Sequence, residues 1–154
     1  MISDVVRDKD GVQSCLIISE IINYYKNEGL SLDQVLDNIY KEYGYYSDGQ
    51  ISIKLDTNDD LVDNIMNNIR TCNKFEGINI CAKEDYLTSI RTENNKESKI
   101  YLPKSNVIKL FFDNNSWIAV RPSGTEPKIK FYYFQKDGYL DFSKLINKYI
   151  NNFK

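Results

Sequence analysis

The sequence predicts an α+β fold, in which an antiparallel sheet carries two helices on one face and is preceded by a separate pair of helices. From Gln50 to the end of the chain the predicted order is strand, helix, several strands and a last helix. An antiparallel sheet with helices packed on one face satisfies that order. Before this point, residues 12–43 show two helical patterns and no strand.

The two N-terminal helices are indicated by apolar spacing and by caps. Apolar residues at helical intervals predict a helix over residues 12–27, which Gly29 terminates. Ser31 and Gln34 have the spacing of a capping box and begin a second helix, which runs to about Tyr43 with one continuous apolar face. The first helix is apolar around much of its circumference and therefore needs cover on more than one side.

A turn-rich break at residues 45–49 predicts the domain boundary. The elements expected after it are a half-buried strand, a capped helix, a short strand and a polar segment that fits either a strand or a loop, at residues 50–55, 57–69, 77–83 and 84–97.

A hairpin and a last helix complete the predicted order. Residues 107–112 and 116–120 have strand patterns and are joined by Asp113-Asn114-Asn115, a good hairpin turn because Asn tolerates the left-handed conformation. A further strand is expected at residues 128–134, and apolar residues from Phe142 to Phe153 predict the last helix.

Composition narrows the class of protein. The 154 residues are 42% apolar, and the net charge is −2 with both signs interspersed, so we expect a real core and no broad basic face for nucleic acid. No apolar run approaches about 18 residues and the N-terminus has no signal-peptide core, so we expect a cytoplasmic protein without a membrane span. The three cysteines lack a CxxC spacing and fit reduced thiols. The absence of histidine excludes Ser-His-Asp and Cys-His nucleophilic schemes.

The loop between two predicted strands, Arg121–Lys130, carries the chemistry. Its centre offers consecutive backbone N–H groups, and such a concave run binds anions. The glycine permits a positive φ or a close backbone approach, and the arginine fork suits phosphate oxygens. A plain turn with exposed charges is the alternative. The candidate phosphate-binding residues are Arg121, Ser123, Gly124, Thr125 and Lys130.

The full string Arg-Pro-Ser-Gly-Thr-Glu-Pro-Lys-Ile-Lys-Phe-Tyr resembles the phosphate-binding signature of the last domain of the α-D-phosphohexomutases, the phosphoglucomutase/phosphomannomutase family. Segments at residues 7–11, 32–46 and 102–107 resemble further parts of that family. The resemblance implies that residues 1–46 are the helical tail of the family's α/β third domain. It also implies that residues 47–154 are its fourth domain, with a TATA-box-binding-protein-like sheet.

In that family the loop holds the phosphate of the bound phosphosugar that is not being transferred. The resemblance therefore implies an isomerase, an intramolecular phosphotransferase acting on glucose or mannose 1- and 6-phosphates, with this chain as its C-terminal part. The family's sugar-selecting loop is absent, so glucose, mannose and pentose phosphates all stay open. A stand-alone phospholigand-binding or interaction module without turnover is the alternative.

The sequence also departs from the family. The catalytic phosphoserine loop, the Asp-rich magnesium loop and the sugar loop are missing. The resemblance implies Mg²⁺ for the full-length enzyme, but we assign no cofactor and no metal ligand to this chain. The acidic residues Asp56, Asp59 and Asp60 fit charge at a helix N-terminus better than metal ligation. We expect the chain alone to be inactive and its partners to be domains 1–3 of the same enzyme.

Lys9 is the one candidate catalytic residue. In some family members a lysine in the matching Lys-Asp-Gly segment lies at the active site, where it acts as acid or base. The alternative is a solvated charge near a helix start, because a lysine base needs burial or cationic neighbours and Asp8 and Asp10 are acidic.

The helix pair predicts an association surface. Two helices have too few layers to close a core, and the leftover apolar positions would form an exposed patch of the kind that marks interfaces. We expect a homodimer through residues 12–43, closed by a two-fold axis, or disorder of that segment in a monomer.

Overall fold

A computed structural model of the chain describes residues 9–55, 59–124, 126–136, 138 and 140–153. The chain divides into two compact units, Met1–Gly44 and Tyr45–Lys154. The predicted helix cap within residues 57–60 and the Arg7-Asp8 part of the family-like segment fall wholly or partly outside the described residues.

The first unit contains helices α1 (Gly11–Asn27) and α2 (Leu32–Tyr43). Asp10 caps α1, and its carboxylate accepts a hydrogen bond from the backbone N–H of Gln13 at 2.9 Å. The predicted capping box of α2 is confirmed. The Ser31 hydroxyl accepts from the Gln34 N–H at 3.3 Å, and the Gln34 side chain accepts from the Ser31 N–H at 2.9 Å. These caps satisfy N–H groups that lack partners inside the helix.

The apolar residues of the first unit lie open to solvent. None of the residues described in α1 or α2 is buried, and Val12 is 84% exposed. Large apolar side chains that are exposed on the two helices include Leu16, Ile18, Ile21, Ile22, Leu32, Leu36 and Ile39. The first unit therefore holds two well-capped helices whose apolar stripes its own residues leave uncovered.

The second unit alternates strands with two helices. Its elements are β1 (Tyr46–Lys54), α3 (Asp59–Thr71), β2 (Lys74–Phe75), β3 (Ile78–Asn79), β4 (Ala82–Asp85), β5 (Ile90–Glu93), β6 (Lys96–Lys99), β7 (Ile108–Phe111), β8 (Trp117–Pro122), β9 (Lys128–Lys136) and α4 (Phe142–Asn151).

Seven of these strands form one antiparallel sheet in the order β1-β9-β8-β7-β4-β5-β6, and β2 pairs with β3 separately. Alternate residues of the central strands are fully buried and form one cluster with residues of α3 and α4. That cluster includes Ile65, Met66, Ile69, Ile108, Leu110, Ile118, Val120, Ile129, Phe131, Ile146 and Ile150. The predicted fold class, an α+β fold with both helices on one face of an antiparallel sheet, is confirmed.

The turn structure predicted for residues 45–49 is wrong, because β1 begins at Tyr46. The residues are turn formers, but β9 supplies a ladder partner to every residue of β1. Gly49 lies opposite Tyr133, and a Cβ at Gly49 would clash with the Tyr133 ring. Glycine is required there for close approach of a side chain, as elsewhere in strand interiors.

Residues 77–97 form more strands than the sequence predicted. The expected strand at 77–83 is divided between β3 and β4, and the segment at 84–97 contributes to a three-stranded meander of β4, β5 and β6. Asn94 and Asn95 both have positive φ, at 50° and 60°, as a two-residue hairpin turn requires. The Asn-Asn pair between polar strands was the signal that could have revealed this hairpin.

Candidate phosphate site

The hairpin of β8 and β9 presents two cations side by side. Arg121 lies directly opposite Lys130 in the antiparallel register, and opposed residues project from the same face of a sheet. The alternate positions Ile129 and Phe131 are fully buried under the helices. Arg121 and Lys130 therefore lie on the opposite face, which we call the open face, at the base of the loop formed by residues 123–127.

Tyr132 holds the arginine fork in place. Arg121 Nη2 donates a hydrogen bond to the Tyr132 hydroxyl at 3.3 Å, and the guanidinium carbon lies 5.8 Å from the centre of the ring. The candidate phosphate-binding residues predicted from the sequence did not include Tyr132. The signal was the strand alternation, because Tyr132 is two residues after Lys130 and so shares its face.

The backbone donors differ from the expected run of three. The Ser123 N–H donates to the carbonyl of Lys128 at 2.7 Å, which closes the hairpin. The hydroxyl of Ser123 and the N–H of Gly124 have no hydrogen-bond partner among the described residues. The predicted contribution of Thr125 lies outside those residues. Among the described loop residues, the Ser123 hydroxyl and the Gly124 N–H are thus donors that remain for a ligand, beside the arginine fork and Lys130.

Gly124 has a conformation that other residues could adopt. Its φ lies outside the left-handed region, and a Cβ built on it meets no described atom within 4 Å. Of the two uses that the sequence allowed for this glycine, a positive φ is therefore not the one seen, and a close backbone approach stays a prediction. The backbone here is exposed and open, so the space beside Gly124 is available to a ligand rather than to a neighbouring side chain.

Glu126 and Lys128 close the loop from the other side. Lys128 Nζ lies 2.7 Å from the Glu126 carboxylate, and this hydrogen bond and charge hold the pKa of Glu126 below its usual value, with smaller effects from Lys130 and Lys54. Glu126 shapes the loop through this ion pair. The one acidic side chain at the loop is thus already engaged with a cation.

The aromatic residues of the open face pack on one another. Trp117 stacks on Phe134 with ring centres 5.8 Å apart, and Phe134 stacks on Tyr46 at 5.4 Å. Lys109 Nζ lies 4.1 Å from the centre of the Trp117 ring. Neighbouring side chains therefore already lie against the ring faces of Trp117 and Phe134.

Lys9 is an exposed residue of the first unit with a positive φ of 51°. The loop residues belong to the second unit. The predicted catalytic role of Lys9 stays a prediction.

The hairpin and its loop fall within a recognised family pattern. Residues 82–138 match the model of the phosphoglucomutase/phosphomannomutase C-terminal domain. The chain carries the C-terminal domain of this family. The matched segment runs from the first strand of the β4–β6 meander to the end of β9, and it includes the candidate phosphate site.

Curated phosphoglucomutases extend the match beyond that segment. The chain is 38% identical to the phosphoglucomutase of Staphylococcus haemolyticus over 156 aligned residues, which cover 96% of this chain and 28% of that protein. It is 40% identical to a Staphylococcus aureus phosphoglucomutase over 82% of this chain and 24% of the relative. The chain thus spans less than a third of the length of these phosphoglucomutases.

A solved structure agrees on the fold. The parafusin phosphoglucomutase of Paramecium, in its open form, superposes with a TM-score of 0.56 at 15% identity, over 97% of this chain and 27% of that one. At such low identity the likeness supports the fold alone.

The family resemblance implies Mg²⁺, and the donor set argues against a magnesium site in the described part of the chain. Across those residues no three acidic, cysteine or histidine side chains come together in a way that could hold a metal ion. No metal-dependent step is therefore assigned to them. Nor does any helix of the described segments have the length and apolar character needed to cross a membrane.

Proposed function

We propose that this chain serves as the C-terminal, phosphate-binding part of a phosphohexomutase. In this proposal the loop at residues 123–127, with Arg121 and Lys130, holds the phosphate of a glucose or mannose phosphate that is not being transferred. The observation that carries the proposal is the register of β8 and β9, which sets the two cations side by side at the base of an open loop. Membership of the family supports it.

The groups at this site suit positioning rather than bond making. Arginine and lysine donate charge-assisted hydrogen bonds to phosphate oxygens, and Tyr132 orients the arginine before a ligand arrives. None of these side chains is a phosphoryl donor. The loop would therefore lower the barrier by fixing the distal end of the sugar phosphate so that the reacting end meets the catalytic groups.

Those catalytic groups would come from domains 1–3 of the same enzyme, which correspond to the rest of the relatives' length. The relatives extend well beyond the part that this chain matches, and the exposed apolar stripes of α1 and α2 offer a surface on which those domains could pack. Lys9, just ahead of α1, is proposed as an acid or base in that assembly. The chain alone would then show no mutase turnover.

A second function is favoured by one observation, the closed core of the second unit. Its helices and sheet bury a full set of side chains without help from the first unit. In this alternative the second unit acts as a stand-alone phospholigand-binding module, without any contribution to turnover.

Calorimetric titration with glucose 6-phosphate and glucose 1-phosphate tests the site. Arg121→Ala should weaken binding about tenfold or more, because hydrogen bonds to charged groups are typically worth about 1.5–3 kcal/mol. Lys136→Ala is the matched control, since Lys136 lies on the open face at the far end of β9 from Lys130. Equal affinities for the wild-type chain and Arg121→Ala would refute the site.

A coupled mutase assay separates the two functions. Adding the remaining part of the S. haemolyticus phosphoglucomutase to this chain should restore turnover if the chain is an enzyme part. Binding of glucose 6-phosphate without restored turnover would favour the stand-alone module. Turnover by this chain alone would contradict both.

A further inference from the structure

The edge strand β1 brings an additional lysine to the candidate phosphate site. Across β1, β9 and β8, one row of opposed residues is Ser52, Lys130 and Arg121. The next row toward the loop pairs Lys54 with Lys128, whose carbonyl in turn accepts the Ser123 N–H. Residues two apart on a strand share a face, so Lys54 projects from the open face in line with the loop.

The end of β1 that carries Lys54 is tied to the loop. Neighbouring strands are about 4.8 Å apart, so Lys54 is one strand from Lys128 and about two strand spacings from Ser123. The Leu55 N–H, next to Lys54 in the chain, donates to the Pro127 carbonyl at 2.9 Å.

Among the side chains that the structure describes, the charges around the loop are unbalanced in favour of cations. Glu126 is engaged by Lys128, whereas Lys54 is exposed and forms no ion pair with any residue that the structure describes. Lys54 also contributes, as the smallest effect, to the lowered pKa of Glu126. Arg121, Lys130 and Lys54 are then three cations that surround the loop without an acidic partner among the described side chains.

We propose that Lys54 is a further phosphate-binding residue, which approaches the loop from the edge strand and makes the site selective for a doubly charged phosphate monoester. This inference rests on the proposed function of the loop. With the phosphate seated beside Gly124 and the Arg121 fork, Lys130 approaches it from the neighbouring strand β9, and Lys54 approaches from β1, one strand further toward the sheet edge. Three cations favour a dianion over a singly charged group of the same shape.

Sequence reasoning could not find Lys54, because it lies far from the loop in the chain and outside the resembling motif. Its strand was expected, but the pairing of β1 with β9 depends on the tertiary arrangement. Without the register, Lys54 is one of many exposed lysines.

The test compares the affinities of Lys54→Ala, Lys54→Arg and the wild-type chain for glucose 6-phosphate and for glucose 6-sulfate, a singly charged analogue. Lys54→Ala should weaken binding of the phosphate about three- to tenfold, since an exposed charge contributes less than the buried or bidentate ones. It should change the affinity for the sulfate less. Lys54→Arg should restore most of the phosphate affinity. The matched control is Lys96→Ala, which removes a lysine from the same face at the opposite edge strand, β6.

Each outcome decides a separate point. If Arg121→Ala abolishes binding and Lys54→Ala does not alter it, the role of Lys54 is refuted and the loop stands. If neither variant alters binding, the proposed function of the loop fails as well. Equal losses for Lys54→Ala and Lys96→Ala would show only a general effect of charge and would overturn the assignment. An equal loss of affinity for glucose 6-phosphate and glucose 6-sulfate would refute the proposed selectivity for a doubly charged group.

Discussion

Helices α2 and α4 have the same design and opposite surroundings. Each begins at a capping side chain and carries one apolar stripe. In α4 the stripe is buried under the sheet, and Ile146 has no exposed surface, whereas Ile39 in α2 is 46% exposed. The comparison shows that the spacing of apolar residues and the capping side chains specify a helix and its apolar face. Burial of that face requires another element to pack against it.

The sheet supplies that cover in the second unit. Its central strands point alternate side chains toward α3 and α4, so a strand pattern and a helix pattern meet in one cluster. The first unit has no strand among its described residues. Its helices are complete as local structures while their apolar faces still lack a partner.

The most direct test of this comparison is to make the same substitution in both helices. Ile146→Ala should lower the free energy of unfolding by about 2–5 kcal/mol, because it opens a cavity in a closed core. Ile39→Ala should change it by no more than about 0.5 kcal/mol, as for exposed sites. Urea unfolding followed by the fluorescence of Trp117, the one tryptophan, reports on the second unit.

Light scattering on the same two variants addresses the predicted homodimer through residues 12–43. If the chain self-associates through the helix pair, Ile39→Ala should weaken association and Ile146→Ala should not do so while the protein stays folded. A large loss of stability in Ile39→Ala without a change in mass would show that α2 is covered within the chain.

The sequence was most informative where the signal was local. The capping box at Ser31, the left-handed Asn115 of the hairpin turn and the alternation of β8 and β9 each depend on residues close in the chain. The start of β1 was missed because Ser47-Asp48-Gly49 has turn chemistry that its pairing with β9 overrides. Strand propensity is set largely by cross-strand neighbours, which a linear reading does not contain.

A smaller effect is expected from Gly49→Ala. The new methyl group would clash with the Tyr133 ring across the ladder, so the ring or the strand must shift, at a cost of about 1–3 kcal/mol for an overpacked site. Gly124→Ala is the matched control, because its methyl group meets no described atom. Thermal unfolding of both variants checks this, and equal melting temperatures would mean that β1 and β9 lie further apart than described.

The same control variant probes the candidate site. Gly124→Ala should keep its melting temperature but lose affinity for glucose 6-phosphate if the open space beside Gly124 belongs to the ligand. The motif alone predicted Arg121 and Lys130 as phosphate-binding residues, because both lie in one short stretch of the chain. Tyr132 follows from strand alternation, while Lys54 follows only from the register between β1 and β9. The sequence therefore predicts the part of the site that lies on one hairpin, but it does not predict the lysine that a neighbouring strand contributes.

The smallest expected effect comes from removing the two helix caps. Ser31→Ala should cost α2 about 1 kcal/mol of helix stability, seen as weaker far-ultraviolet circular dichroism with no change in the Trp117 unfolding curve, because the first unit forms no part of the closed core. Asp141 caps α4 by accepting the Lys144 N–H at 3.1 Å, so Asp141→Ala should instead lower the urea midpoint of the whole second unit.

Acidic pH should reproduce the loss of stability expected for Asp141→Ala, and it should not reproduce the effect of Ser31→Ala. The backbone hydrogen bond from Lys144, followed by its side chain, lowers the pKa of Asp141 below the ordinary 3.8. A carboxylate with a lowered pKa contributes its full stabilisation above the unfolded value and loses it as the pH falls through the folded one. The stability difference between the wild-type chain and Asp141→Ala should therefore be constant above about pH 5 and shrink toward pH 3. The corresponding difference for Ser31→Ala should not change with pH, because a hydroxyl does not titrate in this range. A Ser31→Ala chain whose Trp117 curve shifts with that of Asp141→Ala would show that both helices share one cooperative unit, and the contrast between α2 and α4 would then be wrong.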